Sequence, residues 1–237
     1  MDINEIEFYN NLLIDDEDKP RAALALKSKG VVKHIIIKDK LSHWCIGGKV
    51  EYSQVASTYR YDKRLRKILF KYISYLEEFY RAVILDNYYR RTNVRFWIDD
   101  LKRNLVKFDN NLNDALEYLD FSSLLIQSER LPKAIRKLCA FPSNKFLKEN
   151  SIALKELRNA VMHNKFLLFY RGFEVCYVDG VDDSKSASLK ANIINLIDFL
   201  PNEVGNKCRI EINACKVDTN SVDKTRWNLP DPIIITI

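Results

Sequence analysis

Residues 157–163 read LRNAVMH, which places Arg158 five positions ahead of His163 with Asn159 beside the arginine. These side chains suit phosphodiester chemistry. The Arg158 guanidinium is a permanent cation that can fork two hydrogen bonds onto a phosphate. Histidine is the side chain that most readily exchanges a proton near neutral pH, so His163 is a candidate general base or acid. Asn159 offers an amide to orient the imidazole or a phosphate oxygen. Together the three residues fit RNA cleavage without a metal or other cofactor. The spacing alone does not decide the matter: with fifteen Arg and three His in 237 residues, an Arg five before a His arises about 0.2 times by chance. A solvated helix face with an incidental histidine presents the same pattern.

The element carrying these residues reads as an amphipathic helix. At about 100° per residue, Ala153, Leu154, Leu157, Ala160, Val161 and Leu168 fall on one side, and Lys155, Glu156, Arg158, Asn159 and His163 on the other. Arg158 and His163 are separated by about 140° around the axis, so they flank a groove without touching. Ser151 is the candidate N-cap. Upstream, from Tyr59 to about Arg91, apolar residues recur at intervals of three and four from Leu65 to Ile84, which predicts a long central helix. Arg60, Lys63, Arg64 and Lys67 crowd its first turns and, with Lys165, are candidate contacts to RNA phosphates; a solvated basic face is the plainer account. Asp62 reads as the cap of this helix.

The RNAVMH stretch resembles the R-N-x-x-x-H form of the Rx4-6H signature of HEPN domains, the higher eukaryote and prokaryote nucleotide-binding helical bundles. A second stretch, YRYDKRLRKILFKYISYLEEFYRA over residues 59–82, is similar to the Y-x-F-D-x-x-L-R and I-E-x-x-x-R segments of Abi-like (AbiD/AbiF) phage abortive-infection proteins. Tyr61, Asp62, Leu65, Arg66, Glu77 and Arg81 stand at the matching positions. The resemblance covers about residues 59–170. It implies a metal-independent endoribonuclease of a bacterial abortive-infection or toxin–antitoxin system. Arg158, Asn159 and His163 would be the catalytic residues, brought together with their copies across a homodimer. A small RNA or a protein antitoxin is the implied restraint. A non-catalytic module binding RNA or a nucleotide, and a protein-interaction subunit of a defence complex, are the alternatives. Where some HEPN toxins carry an adenylylated tyrosine, this chain has Lys165.

The remainder fits a mainly α protein: a HEPN-type helical bundle with a small C-terminal α+β appendage. We expect an N-terminal helical segment over residues 1–55, the bundle over 56–170, and a helix with small strands over 171–237. Helices are expected over 4–14 and 20–29, the second closed by Gly30, with Val31–Lys38 of uncertain type. A helix over 94–119 should break or kink at Asp109–Asn113, and one over 122–139 is interrupted by Pro132. Beyond Phe169, GFEVCYV reads as a strand and SASLKANIINLIDFL as a helix. CRIEINACKV and PIIITI read as two further strands, the last needing a cover. Six Gly and six Pro favour long helices. The net charge of +6 permits a polyanionic partner without requiring one. The first residues lack the basic start and apolar run of a targeting signal, so a cytoplasmic protein without membrane contact is expected. Five cysteines without C-x-x-C spacing suggest buried, reduced thiols. The acidic run DDEDK near the start reads as solvated, and His34 and His43 as ordinary histidines.

Overall fold

A computed structural model describes residues 3–44, 48–89, 94–179, 185–217 and 227–237. The chain is mainly helical, with eleven α-helices among the described residues and two small two-stranded pairings. It packs as two units: residues 1–65 with 213–236, and residues 66–212 with Ile237.

The first unit begins with α1 (Ile3–Tyr9), shorter than the expected 4–14 because Asn11 takes a left-handed φ of 57° and Leu12–Leu13 becomes strand β1. β1 pairs in parallel with β2 (Val50–Glu51). α2 (Lys19–Lys29) carries Pro20 in its first turn, where a missing N–H costs nothing. Gly30, at φ 92°, separates it from α3 (Val31–Ser42). The β-branched run from Val31 is therefore helical, turning His34, Ile35, Ile37, Lys38 and Leu41 inward. The buried Lys38 ammonium donates to the carbonyls of Glu7 (2.6 Å) and Asn10 (3.0 Å), closing the end of α1. The His34 ring stacks on Tyr59 at 5.3 Å, and its Nδ1 lies 2.8 Å from the Gly30 carbonyl. At the amino end, Lys19 pairs with Asp16 in solvent, and Arg21 with the largely covered Asp18.

The long helix α4 (Tyr52–Tyr88) spans 37 residues, about 55 Å. It starts seven residues before the expected position, so Asp62 is a fully buried side chain of the helix interior and caps nothing. Residues 52–65 belong to the first unit and 66–88 to the second. In the first unit the C-terminal segment PIIITI forms no strand; a 3-10 turn over Asp231–Ile233 buries Ile233, and the Ile235 N–H donates to the buried Tyr61 hydroxyl at 2.9 Å.

In the second unit, Leu69, Ile73, Leu76, Tyr80 and Ile84 of α4 are buried. The chain continues through a 3-10 turn (Val94–Phe96), α5 (Asp99–Lys107), α6 (Leu112–Glu117), α7 (Phe121–Arg130) and α8 (Lys133–Arg136). The break between α5 and α6 falls at Asp109 and Asn110, both left-handed. Tyr88 packs edge-on against Trp97 at 4.8 Å, whereas Tyr89 is exposed; Arg90 and Arg91 lie outside the described residues.

α9 (Asn144–Met162) begins eight residues earlier than expected: the Ser143 hydroxyl, not that of Ser151, caps it, accepting the Phe146 N–H at 3.1 Å. Leu168 falls beyond it, in a 3-10 turn over Leu167–Phe169. The GFEVCYV strand shrinks to β3 (Cys176–Tyr177), antiparallel to β4 (Lys185–Ser186); the turn between lies mostly outside the described residues. Asn150 of α9 acts as a third strand edge, accepting the Tyr177 N–H at 2.7 Å and donating to its carbonyl at 2.9 Å. α10 (Leu189–Phe199), capped by Ser188, lies against α9 and β3. CRIEINACKV is no strand: it falls largely within α11 (Asn202–Ala214), which buries Gly205, Cys208 and Ile212 at helical spacing. Four cysteines, Cys139, Cys176, Cys208 and Cys215, are free and buried; Cys45 lies outside the described residues. Among the described residues no helix is long and apolar enough to cross a membrane.

Candidate functional site

The candidate site is built in the second unit from α9 and the later turns of α4. Ala153, Leu154, Leu157, Ala160 and Val161 are buried, which fixes the rotation of α9 and leaves Arg158 and Asn159 half-buried and His163 exposed.

The helix ends in a Schellman turn with Asn164 as the left-handed residue at φ 53°. The Asn164 N–H reaches the Val161 carbonyl (3.1 Å) and the Lys165 N–H the Ala160 carbonyl (2.9 Å), while His163 donates its own N–H to Asn159 (2.9 Å). Arg66 of α4 donates to the Asn164 side-chain oxygen at 3.2 Å. The backbone beneath His163 is therefore held from both sides. Its imidazole projects into solvent and makes no hydrogen bond to the described residues.

Arg158 is held differently. Its Nε donates to Glu77 Oε1 at 3.2 Å, and the other Glu77 oxygen takes Arg81 at 3.4 Å. Arg81 in turn donates to the Leu116 and Leu119 carbonyls, each at 3.1 Å, tying this carboxylate to the end of α6. The Glu77 side chain is 14% exposed and that of Arg158 31%, so the pair sits at the edge of solvent. Glu77 uses only the Nε–H. Both terminal nitrogens of Arg158, the fork that grips a phosphate, have no partner among the described residues.

The Asn159 amide nitrogen donates to Glu156 Oε1 at 3.4 Å. Lys67 and Lys165 are exposed cations of this unit. Arg60, Lys63 and Arg64 belong to the first unit, where Lys63 is exposed while Arg60 and Arg64 lie over the Trp227 ring at 5.4 and 5.7 Å. No group of His, Cys, Asp and Glu side chains with metal-binding geometry occurs among the described residues.

Protein-family models, curated proteins and solved structures were compared with the chain, and none matches it. The site therefore stands on its own geometry. That geometry pairs an arginine of α9 whose phosphate-binding edge is open with a histidine, at the C-terminal cap of the same helix, whose ring nitrogens are open. Sequence spacing pointed to both. It did not show the Arg158–Glu77 contact across 81 positions, nor the use of Asn164 as the αL residue that ends the helix, although asparagine after an apolar periodic run is the signal for the latter.

Proposed function

We propose that the protein is a metal-independent endoribonuclease of HEPN type, acting in a bacterial abortive-infection or toxin–antitoxin defence system. The observation that carries this reading is the convergence of the two stretches behind the family likeness. Glu77 and Arg81 come from one stretch and Arg158 from the other, and the three form a single ion-paired cluster. Arg66, from the first stretch, also donates to Asn164, the residue that follows His163.

In this reading the 2′-hydroxyl of RNA attacks the adjacent phosphorus, a 2′,3′-cyclic phosphate forms, and the 5′-oxygen leaves with a proton. Arg158 clamps a non-bridging phosphate oxygen and steadies the charge that develops there. His163 removes or delivers the proton, a contribution of about 10²- to 10⁴-fold. One imidazole does not serve both sides of the phosphorus in a single step. A homodimer placing both His163 side chains in one cleft supplies the second. The partners in this reading are RNA, a second copy of the chain, and a small RNA or protein antitoxin that restrains activity.

The test uses protein freed of host nucleases and total RNA. Wild type yields 5′-hydroxyl ends and retains activity in EDTA, whereas His163→Ala and Arg158→Ala lose cleavage and keep their helical content. Equal cleavage by wild type and His163→Ala would sink the proposal. The Arg158–Glu77 ion pair favours one other reading, a non-catalytic RNA- or nucleotide-binding module in which that arginine is structural. RNA bound but left uncut by wild type supports this second account.

A further inference from the structure

In the first unit, α4 presents Arg60 and Arg64 one turn apart, and the Trp227 ring covers both. The indole is fixed by more than this contact. Its Nε1 donates to the Lys216 carbonyl at 2.9 Å, and the next residue, Asn228, is stapled to the start of the same helix. The Asn228 N–H donates to Ser57 Oγ (2.9 Å) and its amide to Glu51 (2.7 Å) and Ser53 (3.1 Å). Arg60 is itself steadied by the Ala56 carbonyl at 3.3 Å and Ser57 Oγ at 3.4 Å. Two guanidiniums are thus held in place with a flat aromatic ring laid across them.

Two lysines stand close by. Lys63 is exposed on the same helix, and Lys29 lies over the Tyr59 ring at 5.1 Å. Burial, and behind it the neighbouring Lys63 and Arg60 cations, pushes the Lys29 ammonium below its usual range. A concentration of like charge beside aromatic rings is the composition of surfaces that bind single-stranded nucleic acid, where guanidinium planes stack on bases and cations meet phosphates.

We infer that Arg60 and Arg64 form a stacking site for a base of single-stranded RNA, and that Trp227 occupies it as an internal stand-in that RNA must displace. Single-stranded RNA is the ligand because the ring face is reached only by an unpaired base, while Lys29 and Lys63 supply contacts to its backbone. The inference shares with the proposed function only the identity of the ligand; it involves neither Arg158 nor His163. Removing the indole releases two cation–π contacts and raises RNA affinity by about five- to thirty-fold.

The test is fluorescence anisotropy with labelled single-stranded oligoadenylate, carried out in the His163→Ala background so that cleavage does not interfere. Trp227→Ala binds more tightly, Trp227→Phe stays near the parent, and Arg60→Gln with Arg64→Gln abolishes the gain of Trp227→Ala. Asn228→Ala, which loosens the segment without touching the ring, shifts affinity in the same direction by less. It replaces Trp227→Ala as the deciding variant if that protein unfolds. Unchanged or weaker binding by the deciding variant overturns the inference, as does a gain that survives loss of both arginines. Tighter binding by Trp227→Ala alongside a wild type that cuts no RNA removes the nuclease reading and leaves this one standing.

Discussion

The ion-paired cluster of Glu77 lends itself to a quantitative test through Glu77→Gln. The substitution keeps the shape of the side chain and removes its charge. Arg158 then loses its only partner among the described residues, whereas Arg81 keeps the Leu116 and Leu119 carbonyls. The Arg158 contact at 3.2 Å is a single bond through Nε, and those from Arg81 at 3.4 and 3.5 Å are long. With Arg158 31% exposed, solvent screens the pair, and the loss falls between a surface ion pair and a buried charged hydrogen bond, about 1–2 kcal/mol. For a chain of this length that lowers the unfolding midpoint by about 2–8 °C. The assay is thermal unfolding by far-UV circular dichroism on wild type, Glu77→Gln, Arg158→Gln and the double variant. The cycle should give a coupling energy of about 1 kcal/mol. A coupling within about 0.3 kcal/mol of zero refutes the reasoning and leaves Arg158 unsupported by Glu77.

Two further outcomes concern buried groups. Burial, opposed by the Gly30 carbonyl and reinforced by Lys29 and Lys33, holds the His34 imidazole below its ordinary value of 6.5, so the unfolded chain takes up that proton more readily than the folded one. The contribution of His34 is therefore fully present above about pH 6.5 and lost as pH falls below it; the unfolding midpoint should drop on acidification, and His34→Gln should flatten that dependence, which a pH series of melts would check. Asn150→Leu leaves the Tyr177 N–H and carbonyl without their side-chain partner in a part-buried place, at a cost of about 1–3 kcal/mol, read as a lower urea midpoint.

The helical class was readable because the apolar stripes of α4 and α9 repeat at the helical interval over many turns. Helix starts were less readable, since capping depends on which hydroxyl meets a free N–H. Ser143 and Ser151 both qualify in the sequence, and only Ser143 lies within reach of Phe146. Asp62 was misplaced for a related reason: Tyr52–Thr58 adds two turns ahead of it, which makes an apparent cap into a buried interior residue. CRIEINACKV alternates apolar and polar residues and so mimics a strand. The structure buries Cys208 and Ile212, four apart, and leaves Ile210 67% exposed, which is helical periodicity. At the site, Arg158 and His163 were visible as a local pattern. The partner that orients Arg158 was not, because folding alone brings Glu77 to it. Trp227 gave no local signal at all, its contacts being with arginines more than 160 positions away.

The Lys38 ammonium, lodged against the Glu7 and Asn10 carbonyls, makes the opening helix indispensable to α3. Trimming the chain ahead of α2 would strand a positive charge in an oily setting with no oxygen to greet it, a penalty of several kcal/mol. Shortened versions of this protein should therefore fail from the front, whatever becomes of Arg158 and His163.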